Sequence, residues 1–235
     1  MSIKEGAKRS RNSLQQAIYV VINPFVRLLI KCGITPNMVT TIGLLGNIAA
    51  AVVLVWAAAD IISPVTMFQR LIIAGALIIG FSLFDMLDGQ VARLGNQVTR
   101  FGAMYDSVLD RYCELFVLGG VSFYFLQRGS LPGAIITFLA LIGSIMVSYV
   151  RARAEGLGLE CKMGFMQRPE RVVITSLAIL ATGITGTSLN PGSTFNPDII
   201  LLIAMAVIAV FANLTAFARL GYAKSQLDQQ IKKKG

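Results

Sequence analysis

Asp85, Asp88, Asp106 and Asp110 are the residues most able to do chemistry. They fall in the run FDMLDGQVARLGNQVTRFGAMYDSVLDRY, in a chain with only 12 acidic residues. Asp85 and Asp88 are spaced i, i+3; Asp106 and Asp110 are spaced i, i+4. On helices each pair shares one face. A short turn, RLGNQVTR, separates the two segments, so the helices are expected to be antiparallel neighbours with both pairs at the same end. Converging carboxylates in a low-dielectric setting repel one another unless cations offset them. All-oxygen donors suit magnesium, manganese or calcium rather than zinc or copper. Two such ions would balance four carboxylates, and paired divalent ions serve displacement at phosphorus. Arg93 follows closely and could hold a phosphate. The competing reading is that Arg93, Arg100 and Arg111 merely pair with the aspartates as structural salt bridges.

The elements that must position these groups are membrane helices. The chain of 235 residues is 55% hydrophobic and 14% charged, with a mean hydropathy of +0.69. That composition indicates an all-α, polytopic membrane protein. Six apolar stretches approach the roughly 20 residues a crossing requires: 38–59, 71–94, 103–126, 132–154, 170–189 and 198–221. Residues 11–32 have Ile18, Val21, Phe25, Leu28 and Leu29 near helical spacing, with basic residues elsewhere. They predict an amphipathic helix lying in the interface, bent at Pro24. Pro36 and Asn37 are expected to supply the turn and cap into the first span. The expected organisation is an N-terminal interfacial segment over 1–37, a six-helix catalytic domain over 38–222 and a basic tail over 223–235, mobile in its last residues.

Of the 21 lysines and arginines, only Arg70 and Arg128 fall on the outer side when the N-terminus is placed inside. This asymmetry predicts cytoplasmic termini and a cytoplasmic site. The net charge of +9 is then topological and favours anionic headgroups over nucleic acid. Cys32, Cys113 and Cys161 have no metal or disulfide spacing. The absence of histidine excludes Ser-His and Cys-His mechanisms and leaves carboxylates as general bases. No cleavable leader is expected, since residues 1–16 are polar and no cleavage site follows.

A second basic stretch, SYVRARAEGLGLECKMGFMQRPER, forms an inner loop and opens the fifth span. Pro169 suits the first helical position, and Arg168 and Arg171 flank the exposed N–H groups there, an arrangement suited to an anion. Arg151 and Arg153 arrive from the preceding span, and Arg219 could close a pocket. An acceptor carrying its own phosphate is expected. Positive-inside anchoring is the alternative for each of these arginines.

The pattern Asp85-x2-Asp88-Gly89-x2-Ala92-Arg93-x8-Gly102-x3-Asp106-x3-Asp110 resembles the full signature of the CDP-alcohol phosphotransferase family. The resemblance implies transfer of a phosphatidyl group from a CDP-linked donor to an alcohol, with release of CMP. It implies that Asp85, Asp88 and Asp106 bind two Mg2+ or Mn2+ ions, with Asp110 at the same metals and acting as catalytic base. It also implies a CDP site from Pro36, Asn37, Thr40, Asp85, Asp88, Gly89, Ala92 and Arg93. The runs S-Y-x-R-A-R-A-E and G-F-x-x-R-P-E-R are similar to the branch that makes phosphatidylinositol phosphate from CDP-diacylglycerol and inositol phosphate. By that likeness Ser148, Arg151, Arg171 and Arg219 line the acceptor pocket, with Arg153 and Arg168 nearby. Lysine often stands in that branch at the position of Arg151; arginine keeps the charge as a planar fork. Glycerol 3-phosphate is the alternative acceptor.

The likeness further implies a homodimer in a prokaryotic inner or plasma membrane. Glycines 119, 120, 129, 133 and 143 could serve packing between or within chains. Two other classes compete. A cation transporter would need ionisable groups across the bilayer, and the outer halves of the spans lack them. A non-catalytic lipid-binding relative would be expected to lose an aspartate, and all four are present.

Overall fold

The structure, a computed structural model, describes residues 23–59, 64–161, 163–189 and 193–234. Every regular element among them is helical. A helix over residues 23–31, α1, leads through a turn to α2 (Pro36–Ala59). There follow α3 (Pro64–Leu94), α4 (Arg100–Gln127), α5 (Leu131–Gly156), α6 (Arg168–Ser188) and α7 (Asp198–Lys234). The interfacial helix expected over 11–32 is helical in its described part; residues 11–22 lie outside the described residues.

In hydrocarbon no water is available to pair with backbone groups, so long apolar segments satisfy themselves as helices. Five described helices are long and apolar enough to cross a bilayer: α2, α3, α5, α6 and α7. Helix α4 has the length but not the apolarity, because Asp106, Asp110, Arg111 and Glu114 crowd its N-terminal end. The chain is an integral membrane protein, and the sixth expected crossing is the helix that carries Asp106 and Asp110.

Helix boundaries follow local signals. Thr35, rather than Pro36 or Asn37, caps α2: its hydroxyl accepts from Met38 N at 3.4 Å, and Pro36 takes the first helical position. Helix α3 begins at Pro64, before the expected 71, because Met67 and Phe68 are core residues. It ends in a turn where Gly95 N and Gln97 N donate to Val91 O and Ala92 O, each at 2.8 Å. Asn96, not Gly95, takes the left-handed conformation there, with φ of 53°. Ser130 caps α5, and Pro169 takes the second position of α6 rather than the expected first, because the helix begins at Arg168. Helix α7 runs unbroken through the residues expected to form a tail. No glycine or proline interrupts 222–234, and Ala223 and Leu227 pack with Ala154, Leu159 and Cys161.

The chain divides into two compact units. The first comprises the described residues up to Gly43 together with Leu83–Leu109. Its small core is Val26, Leu29, Val39, Leu87 and Val91, with Phe84 packed edge-on against Phe25. The second comprises Leu44–Ser82 and the residues from Asp110 onward. Its core includes Leu54, Leu71, Ile78, Val121, Ile179, Leu201, Met205 and Ile208. Small residues bring its helices close. A side chain at Gly120 would press on Ala51, at Gly133 on Phe125, and at Gly143 on Asn213 and Ala212. These three glycines therefore serve packing within one chain, while Gly119 and Gly129 face open space.

Where α4 ends and α7 begins, Asp198 is buried. Tyr124 donates to its Oδ1 at 2.7 Å, Arg128 Nε to its Oδ2 at 3.2 Å, and its own N–H is capped by Asn196 Oδ1 at 3.0 Å. A buried carboxylate requires such partners. Tyr124→Phe removes a charge-assisted hydrogen bond and is expected to cost about 2 kcal/mol. In a detergent thermal melt this should appear as a drop of several degrees. Arg128→Gln should cost less, because that side chain is 40% exposed.

Candidate metal and phosphate site

In the first unit, α3 presents Asp85 and Asp88 from one face and α4 brings Asp106 to them. One carboxylate oxygen from each lies within 4.8 Å of the other two. Asp85 is 7% exposed; Asp88 and Asp106 are half-buried. Three like charges this close are unfavourable without a counter-ion. The donor set is oxygen alone, with no nitrogen or sulfur, which fits a hard divalent cation. Among the described residues this is the one cluster with such geometry.

The neighbouring residues fix the carboxylates and leave room beside them. Thr40, on the second turn of α2, donates its hydroxyl to Asp88 Oδ2 at 2.8 Å. Thr41 Oγ1 lies 3.0 Å from the Tyr105 hydroxyl, tying α2 to α4 on the same side. Gly43 lets α2 approach: a Cβ there would sit 3.2 Å from Asp85 Oδ1. At Gly102 a Cβ would come within 3.0 Å of Thr99 Oγ1 and 3.5 Å of Asn37 Oδ1. Thr99 is the cap of α4, its hydroxyl accepting from Gly102 N at 2.9 Å.

Beside the carboxylates opens a cavity of about 720 Å³. Pro36, Asn37, Thr40, Asp88, Gly89, Ala92 and Arg93 line it, as do Gly102 and Asp106. Of the residues nominated for the CDP site, only Asp85 is missing from this wall, and it belongs to the carboxylate cluster instead. Arg93 folds back so that Nε donates to Gly89 O at 3.1 Å. Sequence reasoning did not nominate Thr35, Gln97, Val98, Thr99 or Ala103, which complete the wall. Thr99 carried a usable signal, a hydroxyl residue immediately before a helix. Gln97 and Val98 are brought in by the turn after α3 and had none.

Asp110 follows Asp106 by one turn of α4 and belongs to the second unit. Its carboxylate meets Arg168 Nη2 at 2.6 Å and Arg111 Nη1 at 3.5 Å. The carboxylate cluster therefore contains three of the four signature aspartates, and the fourth is held by arginines. Both readings of the sequence thus have a counterpart: cation-type convergence for three residues, ion pairing for one.

The residues nominated for an acceptor phosphate all lie in the second unit. Arg151 Nε pairs along its own helix with Glu155 at 2.8 Å, and Arg153 is exposed. Ser148 donates back to Ser144 O at 3.4 Å. Arg171 and Arg219 are each only 2% exposed and direct their donors to protein oxygens. Arg171 donates to Glu114 Oε1 at 2.8 Å and to Met166 O at 2.9 Å. Arg219 donates to Met163 O at 2.7 Å and Val147 O at 2.8 Å. Glu114 was not nominated from sequence: its partner lies 57 residues away, and no spacing rule points to it.

Comparison with known proteins shows a family and a fold. The family model of CDP-alcohol phosphatidyltransferase matches residues 33–212. A phosphatidylinositol phosphate synthase of Mycobacterium marinum is 36% identical over 202 residues, covering 85% of this chain and 78% of that protein. An archaetidylinositol phosphate synthase of Methanothermobacter thermautotrophicus is 40% identical over 121 residues, 52% of this chain and 57% of that protein. The crystal structure of the Mycobacterium tuberculosis phosphatidylinositol phosphate synthase with CDP-DAG bound superposes with a TM-score of 0.70 at 31% identity, over 85% of this chain and 92% of that one. The same enzyme in complex with manganese and citrate gives a TM-score of 0.68 at 31% identity, over 85% and 87%.

The cluster should bind Mn2+ in purified protein, read by titration with electron paramagnetic resonance. Asp88→Asn and Asp106→Asn are each expected to weaken binding at least tenfold. Thr40→Val, which removes the hydrogen bond orienting Asp88, should weaken it by about 10-fold or more without removing a ligand.

Proposed function

The chain belongs to the CDP-alcohol phosphatidyltransferase family, and from that premise we propose that it transfers the phosphatidyl group of CDP-diacylglycerol to inositol phosphate. The products are phosphatidylinositol phosphate and CMP. The observation that carries the reading is the three-carboxylate cluster bordering a cavity walled by the family's signature residues. The similar enzymes carry the matching name, and one of them is described with CDP-DAG bound.

In this proposal Asp85, Asp88 and Asp106 hold two divalent cations, magnesium or manganese. When bound, these offset the negative charge of the diphosphate and of the departing CMP. Asn37, Thr40, Gly89, Ala92 and Arg93 hold the nucleotide, with Pro36 setting the start of α2. The acceptor hydroxyl attacks the phosphorus that bears the diacylglycerol. A new O–P bond forms, the P–O bond to the CMP phosphate breaks, and CMP leaves with the electron pair. Asp110 takes the hydroxyl proton, since the chain has no histidine. The arginines at the end of α5, the start of α6 and on α7 supply the positive field for the acceptor's own phosphate. Ser148, Arg151, Arg153, Arg168, Arg171 and Arg219 make up that region. The same proposal places the site and both termini on the cytoplasmic side of a prokaryotic plasma membrane, in a homodimer.

CMP release from CDP-diacylglycerol by purified protein with Mg2+ should depend on inositol phosphate. Glycerol 3-phosphate, serine and free inositol should support little. Preference for glycerol 3-phosphate would reassign the acceptor. Exhaustive chelation should abolish turnover, and restored Mg2+ or Mn2+ should return it. Asp110→Asn should lower kcat by about 10²-fold or more while CDP-diacylglycerol still binds; near-normal turnover would reject Asp110 as the base.

A further inference from the structure

Glu114 has no part in the roles assigned so far, yet it forms a buried ion pair with Arg171 of the acceptor region. Glu114 lies on α4 and is 6% exposed; Arg171 lies on the first turn of α6 and is 2% exposed. Arg171 Nε donates to Glu114 Oε1 at 2.8 Å, and Nη2 stands 2.7 Å from the same oxygen. Glu114 Oε2 is buried with no hydrogen-bond partner. Arg171 is therefore the group seen to offset this carboxylate.

The remaining arm of Arg171 points elsewhere. Its Nη1 donates to Met166 O at 2.9 Å, in the segment that leads into α6. Arg219 grips the same segment from α7, through Met163 O at 2.7 Å. Gly164 lies between these two points, with φ of 122° and Thr215 so near that a Cβ would overlap it. Residues 163–167 are thus held in one path by two buried guanidiniums. That path delivers Arg168 to the start of α6.

We propose that Glu114 is a positioning residue for the acceptor phosphate. It fixes Arg171, Arg171 fixes the Met166 carbonyl and the entry to α6, and that entry sets where Arg168 and the open N–H groups of α6 stand. The proposal rests on the reading that the acceptor is a phosphorylated alcohol bound at the basic cluster. It differs from that reading in giving Arg171 an indirect part, since its donors are directed to Glu114 and Met166. A buried pair is the right device for this. Removing one partner strands the other charge, whereas replacing both with apolar side chains keeps stability but loses the directed hydrogen bonds.

The test compares wild type, E114Q, R171Q and the apolar pair E114L/R171M, each measured for KM of inositol phosphate, KM of CDP-diacylglycerol, kcat and thermal midpoint. In E114Q the acceptor KM is expected to rise tenfold or more, with the donor KM within twofold of wild type. E114L/R171M is expected to regain the wild-type thermal midpoint and keep the raised acceptor KM. An E114Q acceptor KM within twofold of wild type overturns the proposal. Recovery of both midpoint and acceptor KM in E114L/R171M overturns it as well, because the pair would then be structural only. If E114Q does not fold, the apolar pair decides alone. Wild-type protein that releases CMP with no phosphorylated alcohol in the panel overturns the underlying reading instead. If glycerol 3-phosphate is the alcohol used, the same comparison is made with it.

Discussion

Carboxylates among apolar helices must have their charge offset, and the arrangement of this protein follows from how each one is compensated. Burying an ionised group without a partner costs several kcal/mol, comparable to the whole stability of many folded domains. Asp198 is compensated by Tyr124 and Arg128, Glu114 by Arg171, and Asp110 by Arg168 and Arg111. Asp85, Asp88 and Asp106 are arranged differently. Thr40 satisfies one oxygen of Asp88, and one carboxylate oxygen from each of the three converges on the other two. Convergence of like charge is what a cation site requires and what a salt-bridge network avoids.

Backbone economy around the cluster serves the same end. Gly43 and Gly102 stand where a Cβ would crowd Asp85, or Thr99 and Asn37. Thr35 and Thr99 cap the two helices whose first turns frame the cavity. These capping hydroxyls set where α2 and α4 begin, so the wall is made of two helix starts, the last turns of α3 and the tight turn after it. Donor N–H groups at helix starts and basic side chains suit a ligand rich in phosphate oxygens. In the second unit the helices instead close up over small residues, and Arg171 and Arg219 turn inward to carbonyl oxygens.

Much of this was legible from residue order. The helical content followed from runs of apolar residues; spacing gathered all four signature aspartates at one end, and the structure brings together three of them. The cavity wall followed in large part from the signature residues, because they sit on the same helix turns as the aspartates. The misreadings have local causes. Helix α3 starts early because its first turn is core, α7 continues because nothing breaks it, and Thr35 displaced Asn37 as the cap of α2. The arginines were the hardest to read. Charge and position marked Arg171 and Arg219 as phosphate-facing, yet their donors are directed to Glu114, Met166, Met163 and Val147.

Sequence by itself determined the solvent of this protein, its helical class and the type of chemistry its acids can support, because hydropathy, helical spacing and donor type are properties of residue order. Only the tertiary structure decided which acids meet each other and which meet arginine. A carboxylate and a guanidinium distant in the chain, such as Glu114 and Arg171, have no spacing rule that pairs them. Their partnership is set by which helix faces pack together, and that is decided by the whole fold at once.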